Sequence, residues 1–353
     1  MDFRKLLRAH LRDFRPYTSA RHEIPQEAKT IFMDANENAL GSPLEPLLNR
    51  YPDPLQNKLK RRIASLKHVD EKNIFLGNGS DEAIDLLVRA FCEPSQERIV
   101  LMPPTYGMYE VAARMNNIGI EKIPLLTNFQ MDIQNIMRKM EGQNDIKIIF
   151  ICSPNNPTGN VMNAEDVEKL LKTFGGLVIV DEAYIDYSRR QSWLNRLDAF
   201  PNLVVLQTFS KAWGLARIRL GMAFGQPQLI AILNQIKYPY NVSGLTQETA
   251  LSALNHVHRV QEMIQTTLAQ RDWLQRELSQ LSSVEQVFPS QTNFLLLKVK
   301  NAGRVYGYLL QKGIVVRNRS GIMHCPSCLR ITVGTPAENK RLIESFKEME
   351  KSS

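Results

Sequence analysis

From about residue 73 the chain alternates short apolar runs with stretches in which apolar residues recur every three to four positions. The pattern predicts strands at 73–76, 98–102, 146–152, 177–180 and 203–207, and helices at 81–91, 106–116 and 164–174. The runs IKIIFIC, LVIV and LVVLQ are apolar throughout, with no polar alternation. A strand wetted on one face alternates, whereas one covered on both faces reads as an unbroken apolar run, as in a parallel or mixed sheet between helices. Strands and helices in this order imply right-handed βαβ units in a doubly wound α/β domain.

The pattern changes near residue 244. One long helical region, continuous or with a break, is expected over 246–281, followed by strands at 293–299, 314–317 and 329–333 and helices at 304–312 and 337–350. This is an α+β arrangement. The expected organisation is an N-terminal segment, 1–30, without sheet pattern and packing with the small domain. A large α/β domain follows over 31–244, with a mostly parallel sheet between helices, and then a smaller C-terminal α+β domain over 245–353. At about 150 residues per domain, 353 residues suit two.

Composition excludes more than it selects. Hydrophobic residues make up 43% and charged residues 23%, ordinary for a fold with a sizeable core. No apolar run approaches the ~20 residues that span a bilayer, and the charged start MDFRKLLRAHLRDFRP has no apolar stretch of the secretory kind. The net charge of +8 is spread along the chain. Its densest cluster, Lys58, Lys60, Arg61 and Arg62, reads as the solvated face of a helix. Neither a membrane nor a nucleic acid is an expected partner, since no basic module with interleaved aromatics is present. The excess charge instead suits anionic cofactors and substrates. Four cysteines are too few for a disulfide framework, so reduced thiols and a cytoplasmic location are expected. His324, Cys325 and Cys328 supply at most half a zinc site, so no metal is expected.

In open α/β sheets, ligands bind beyond the carboxyl ends of the strands. Four apolar runs end there in polar clusters: Gly77 to Glu82, Ser153 to Gly159, Asp181 to Tyr184, and Thr208 to Lys211. Taken alone, Ser80 with Asp81 reads as an ordinary helix cap, and 155–159 as a turn. An acid directly after a buried strand must be paired or hydrogen-bonded, and Lys211 at the end of LVVLQTFS is placed to enter a cleft. Together the clusters supply a lysine for an aldehyde cofactor, an acid for a pyridinium nitrogen and a helix N-terminus for a phosphate. A pyridoxal-phosphate site needs these parts.

The segments Ser153–Gly159 (SPNNPTG), Asp181–Tyr184 (DEAY), Ser210-Lys211 and Arg219 resemble the fold-type I aminotransferases. The pieces PY at 16–17, DANEN at 34–38, RYP at 50–52, PPTYGMY at 103–109 and LRITVG at 329–334 are similar to the histidinol-phosphate aminotransferase family. The resemblance runs from about Leu11 to the last helix. One departure stands out: the family usually reads L-A-G-L-R after the lysine, and this chain has Arg217 in place of the glycine.

The resemblance implies a homodimer in histidine biosynthesis, with pyridoxal 5'-phosphate as cofactor. Its reaction interconverts histidinol phosphate and 2-oxoglutarate with imidazole acetol phosphate and glutamate. It implies a Schiff base on Lys211, Asp181 at the pyridine nitrogen, and Tyr184 with Asn156 at the ring oxygen. Tyr106 would stack on the ring, while Ser80, Asp81, Ser210 and Arg219 would hold the phosphate. Arg330 and Arg317 are the candidates for substrate anions, with Tyr17 and Asn36 completing the pocket, and Tyr51 reaching the partner subunit's cofactor phosphate. Two alternatives compete: an aromatic aminotransferase or phosphate-substrate lyase of the same fold, and a non-catalytic cofactor-binding regulator of nucleic acid. The regulator would need an appended DNA-binding domain.

Overall fold

The computed structural model describes residues 1–16, 31–44 and 48–351. Strands β1 (Ile74–Asn78), β2 (Arg98–Leu101), β3 (Gly119–Lys122), β4 (Ile146–Cys152), β5 (Leu177–Asp181), β6 (Leu203–Thr208) and β7 (Leu220–Phe224) form one sheet. Their order is β1-β7-β6-β5-β4-β2-β3. The run from β3 to β6 is parallel, and β7 is antiparallel to both β6 and β1. β1 therefore points the same way as β6.

Successive side chains on a strand point to opposite faces, and here both faces are covered. Ile149, Ile151, Val178, Val180 and Val205 enter one core with Leu59 and Ile63 of the Asn57–Lys67 helix and Leu170 of the Ala164–Thr173 helix. Ile148, Phe150, Ile179, Val204 and Leu206 enter the other with Ile84 and Leu87 of the Ser80–Phe91 helix and Leu233 of the Pro227–Ile236 helix. Each fully buried aliphatic side chain contributes about 1.5–3 kcal/mol, so a polar residue in place of one of these is costly.

The strands and helices expected between 73 and 207 are present. The region 246–281 is two helices, Gly244–Ala253 and Val257–Ser279, broken at 254–256. A second, antiparallel sheet contains β8 (Val284–Val287), β9 (Phe294–Val299), β10 (Arg317–Asn318) and β11 (Cys328–Thr332), in the order β10-β11-β9-β8. Its Leu295, Leu297, Leu329 and Ile331 pack with Leu274, Leu309 and Phe346 of three helices in a separate core. The strand expected at 314–317 reduces to the two paired residues of β10, and Val315 before it is exposed.

One expectation is corrected for the residues described. The chain start does not pack on the smaller sheet's core: Phe3 and Leu7 are buried with Ile84, Leu87 and Phe91. The Arg8 N–H donates to the Ala90 carbonyl at 2.9 Å. Two apolar residues four apart suffice to anchor a short helix on the nearest apolar helix face.

Candidate active site

Because β1, β4, β5 and β6 point the same way, their polar ends meet at one rim. They line a cleft of about 810 Å³. One side carries Ser80, Asp81, Asn156, Asp181, Tyr184 and Tyr106. Ser210, Lys211 and Arg219 follow β6, and Arg317, Arg319 and Arg330 enter from the second sheet. A second cleft of the same volume lies beside Ile146 and Lys147 at the amino end of β4, away from these clusters.

One end of the cleft is shaped for an anion. Gly79, in left-handed backbone at φ +76, is the N-cap of the Ser80–Phe91 helix, so Ser80 is its first residue and not its cap. No side chain caps this helix start, which leaves its first N–H groups and the positive end of its dipole for a ligand. Close approach makes the cradle. A Cβ on Gly221 would stand 2.0 Å from the Ser80 nitrogen, and one on Gly79 2.7 Å from the Arg219 guanidinium. The Gly79 N–H donates to the Arg219 carbonyl at 2.7 Å. Asp81 accepts from the Tyr106 hydroxyl at 3.0 Å and from Arg219 at 3.4 Å. Arg217, the departure from the expected family pattern, is exposed in a 3-10 turn, and its φ is not positive. The turn needs no glycine there, and Arg219 still reaches the cleft.

The middle of the cleft holds the titratable groups. Asp181, 3% exposed, accepts from the Tyr109 hydroxyl at 2.7 Å and from the Ala183 N–H at 3.0 Å. Burial raises its pKa, and these two donors pull it back. Tyr109 is fully buried, stacked on Phe150 at 4.6 Å with Tyr106 edge-on at 5.5 Å. Its own ionisation is pushed up, first by burial and then by Asp181. The same burial, with Asp181 beside it, lifts the Cys152 thiol to about 12, so that sulfur stays protonated. Lys211 lies with its Nζ 5.6 Å from the Tyr184 ring centre. Its pKa is lowered, first by desolvation and then by Arg330, against the opposing pull of Asp181 and Asp81. Desolvation likewise raises the Tyr184 hydroxyl.

Arg330 joins the two sheets. Its Nη1 donates to Asn156 Oδ1 at 2.6 Å, and its guanidinium lies 5.2 Å from the Phe294 ring centre. Burial, more than any neighbour, depresses its pKa.

Two groups here were not read from the sequence. Tyr109 was visible only as part of PPTYGMY, since its bond to Asp181 joins residues 72 positions apart. Arg319 lines the cleft, and the alternation of 317 and 319 was the signal that could have found it. Some expected residues are not brought in. Asn36 and Tyr51 are not among the residues lining the cleft of their own chain. Tyr51 is half-exposed and stacks on Tyr240 at 4.5 Å. Tyr17 lies outside the described residues.

The family pattern for class I and II aminotransferases matches residues 18–346. The chain belongs to that family. Among curated aminotransferases it is similar to the histidinol-phosphate aminotransferase of Parabacteroides distasonis, with 51% identity over 348 residues and 99% of each chain covered. The one from Cytophaga hutchinsonii is 49% identical over 342 residues, 97% of each chain. Among solved structures, the histidinol-phosphate aminotransferase of Sinorhizobium meliloti, in complex with pyridoxal-5'-phosphate, superposes with a TM-score of 0.79 at 23% identity. That match covers 86% of this chain and 83% of the other. This aminotransferase therefore has the fold-type I architecture, with a larger, mostly parallel sheet and a smaller antiparallel one.

Proposed function

We propose that this aminotransferase moves the amino group of histidinol phosphate to 2-oxoglutarate, giving imidazole acetol phosphate and glutamate, in histidine biosynthesis. The observation that carries the reading is the meeting of Lys211, Asp181, Tyr184 and an uncapped helix N-terminus in one cleft with arginines on its opposite wall. Near-full-length relatives at about half identity carry that activity in their names.

The residues present fit pyridoxal phosphate. The glycine cradle and the Ser80 and Asp81 N–H groups suit its phosphate, with Ser210 and Arg219 beside them. When bound, the cofactor supplies an aldehyde for the amine and a ring that withdraws electrons. Asp181, fixed by Tyr109 and Ala183, would hold the proton on the ring nitrogen. Asn156 and Tyr184 would donate to the cofactor's ring oxygen, with Tyr106 beside the ring. Lys211 would anchor that aldehyde and, as a free amine, would take the proton from the substrate's amine-bearing carbon. Its lowered pKa makes the neutral, proton-accepting form available nearer neutral pH. Arg330 and Arg317 would bind the phosphate of one substrate and the carboxylate of the other.

The same reading takes 31–244 as the cofactor-binding unit and 245–353 as the smaller one. It makes the working enzyme a cytoplasmic homodimer, with Tyr51 serving the partner's site. Among the described residues no helix is long and apolar enough to cross a membrane. Titration of the cofactor-loaded enzyme with histidinol phosphate tests the substrate. The cofactor absorbance should shift at about one equivalent per site and return on adding 2-oxoglutarate. A full shift with an aromatic amino acid, and none with histidinol phosphate, would transfer the reading to an aromatic aminotransferase.

A further inference from the structure

Three guanidinium groups share one face of the second sheet. β10 and β11 are antiparallel with Arg317 directly opposite Arg330. The register continues past the strand end, where the Arg319 N–H donates to the Cys328 carbonyl at 2.8 Å. Residues directly opposite one another project from the same face, as do alternate residues of one strand. Arg317, Arg319 and Arg330 consequently line the same wall of the cleft.

That arrangement opposes folding unless something cancels it, because like charges directly opposite across a ladder are destabilising. Arg330 directs one nitrogen to Asn156, but its Nε is buried without a hydrogen-bond partner, and so is the Nε of Arg319. The charged and ionisable neighbours acting on Arg319 are Arg330 and Arg317, then Cys325 and Tyr184; none is a carboxylate. Other arginines away from solvent are compensated: part-buried Arg98 meets Asp145 and Glu121, and buried Arg271 meets Asp272 and the Thr292 carbonyl. The cleft wall thus holds surplus positive charge and unused donors. A single carboxylate matches one guanidinium fork. A phosphate monoester brings a charge of about −1.5 to −2 and three acceptor oxygens, which suits three.

We propose that Arg319 is a further specificity-determining residue, completing with Arg317 and Arg330 a three-cation wall that selects a phosphate monoester over carboxylate or uncharged substrates. The proposal rests on the transaminase reading above and names the residue that sharpens its substrate choice.

The test compares kcat/KM for histidinol phosphate, for histidinol, which lacks the phosphate, and for glutamate. In Arg319→Gln the ratio of histidinol phosphate to histidinol should fall by about tenfold or more, the loss expected for a charge-assisted hydrogen bond. Glutamate should change by less than about threefold, since Arg330 remains. Arg319→Lys keeps bulk and charge but loses the planar fork; its ratio should fall by at least about threefold, and it decides alone if the glutamine variant does not fold. A ratio unchanged in the variants, or an equal loss on all three substrates, overturns the proposal. If the wild-type enzyme itself shows no preference for histidinol phosphate, the substrate reading falls too, a result distinct from an insensitive Arg319.

Discussion

Adjacent acids at the end of β5 have opposite duties. Asp181 points into the cleft. Glu182 points to the other face, accepting from the Ser192 hydroxyl, the Trp193 N–H at 2.7 Å and Gln207 at 3.0 Å. Burial lifts the Glu182 carboxyl from its ordinary 4.5 to about 7. Between those values the folded chain retains a proton that the unfolded chain has released. Rising pH therefore favours unfolding across that window, and the contribution is complete below about 4.5 and lost above about 7. Glu182→Gln, neutral throughout, should gain thermal stability relative to wild type as melts move from about pH 5 to about pH 8. Parallel pH profiles for the two proteins would contradict the assignment. At this scale the sequence was legible where chemistry is local: Asp181, Tyr184, Ser210 and Lys211 each sit within four residues of a strand end. Tyr109 was not, because its partner Asp181 lies 72 positions along the chain, and Arg319 was not, because Arg330, beside it on the cleft wall, comes from the neighbouring strand.

Among the elements, the unbroken apolar runs β4, β5 and β6 were plain in the sequence because both faces of each are buried. β3 and β7 were not. β3 is a short edge strand of half-exposed residues, and LGMAF is brief and opens beside a glycine-containing loop. Yet β7 shapes the anion cradle, since Gly221 lets the Ser80 backbone approach. Gly221→Ala must push the helix start away or bend β7, an overpacking that costs about 1–3 kcal/mol. The expected outcome is a lower melting temperature together with faster loss of cofactor on dialysis. Cofactor retention equal to wild type would mean that this helix start does not hold the phosphate.

For the whole molecule, what the sequence could not convey is how the ends of the chain meet the two sheets. The first helix docks on the large-sheet core through Phe3 and Leu7, a contact that no periodicity in so short a segment announces. Tyr51, outside its own cleft, fits the proposed shared site. Mixing Tyr51→Phe with Lys211→Ala subunits distinguishes the cases. If Tyr51 acts across the interface, each mixed dimer gathers both defects in one site and leaves the other intact, so activity should reappear. Mixed dimers without a wild-type-like site, despite verified exchange, would confine Tyr51 to its own subunit. The claim on which everything else depends is that Lys211 is both anchor and proton carrier. Steady-state transamination by Lys211→Ala measures it most directly, with a loss of at least about a hundredfold expected from removing a positioned acid–base group. Undiminished turnover by that variant would contradict the account.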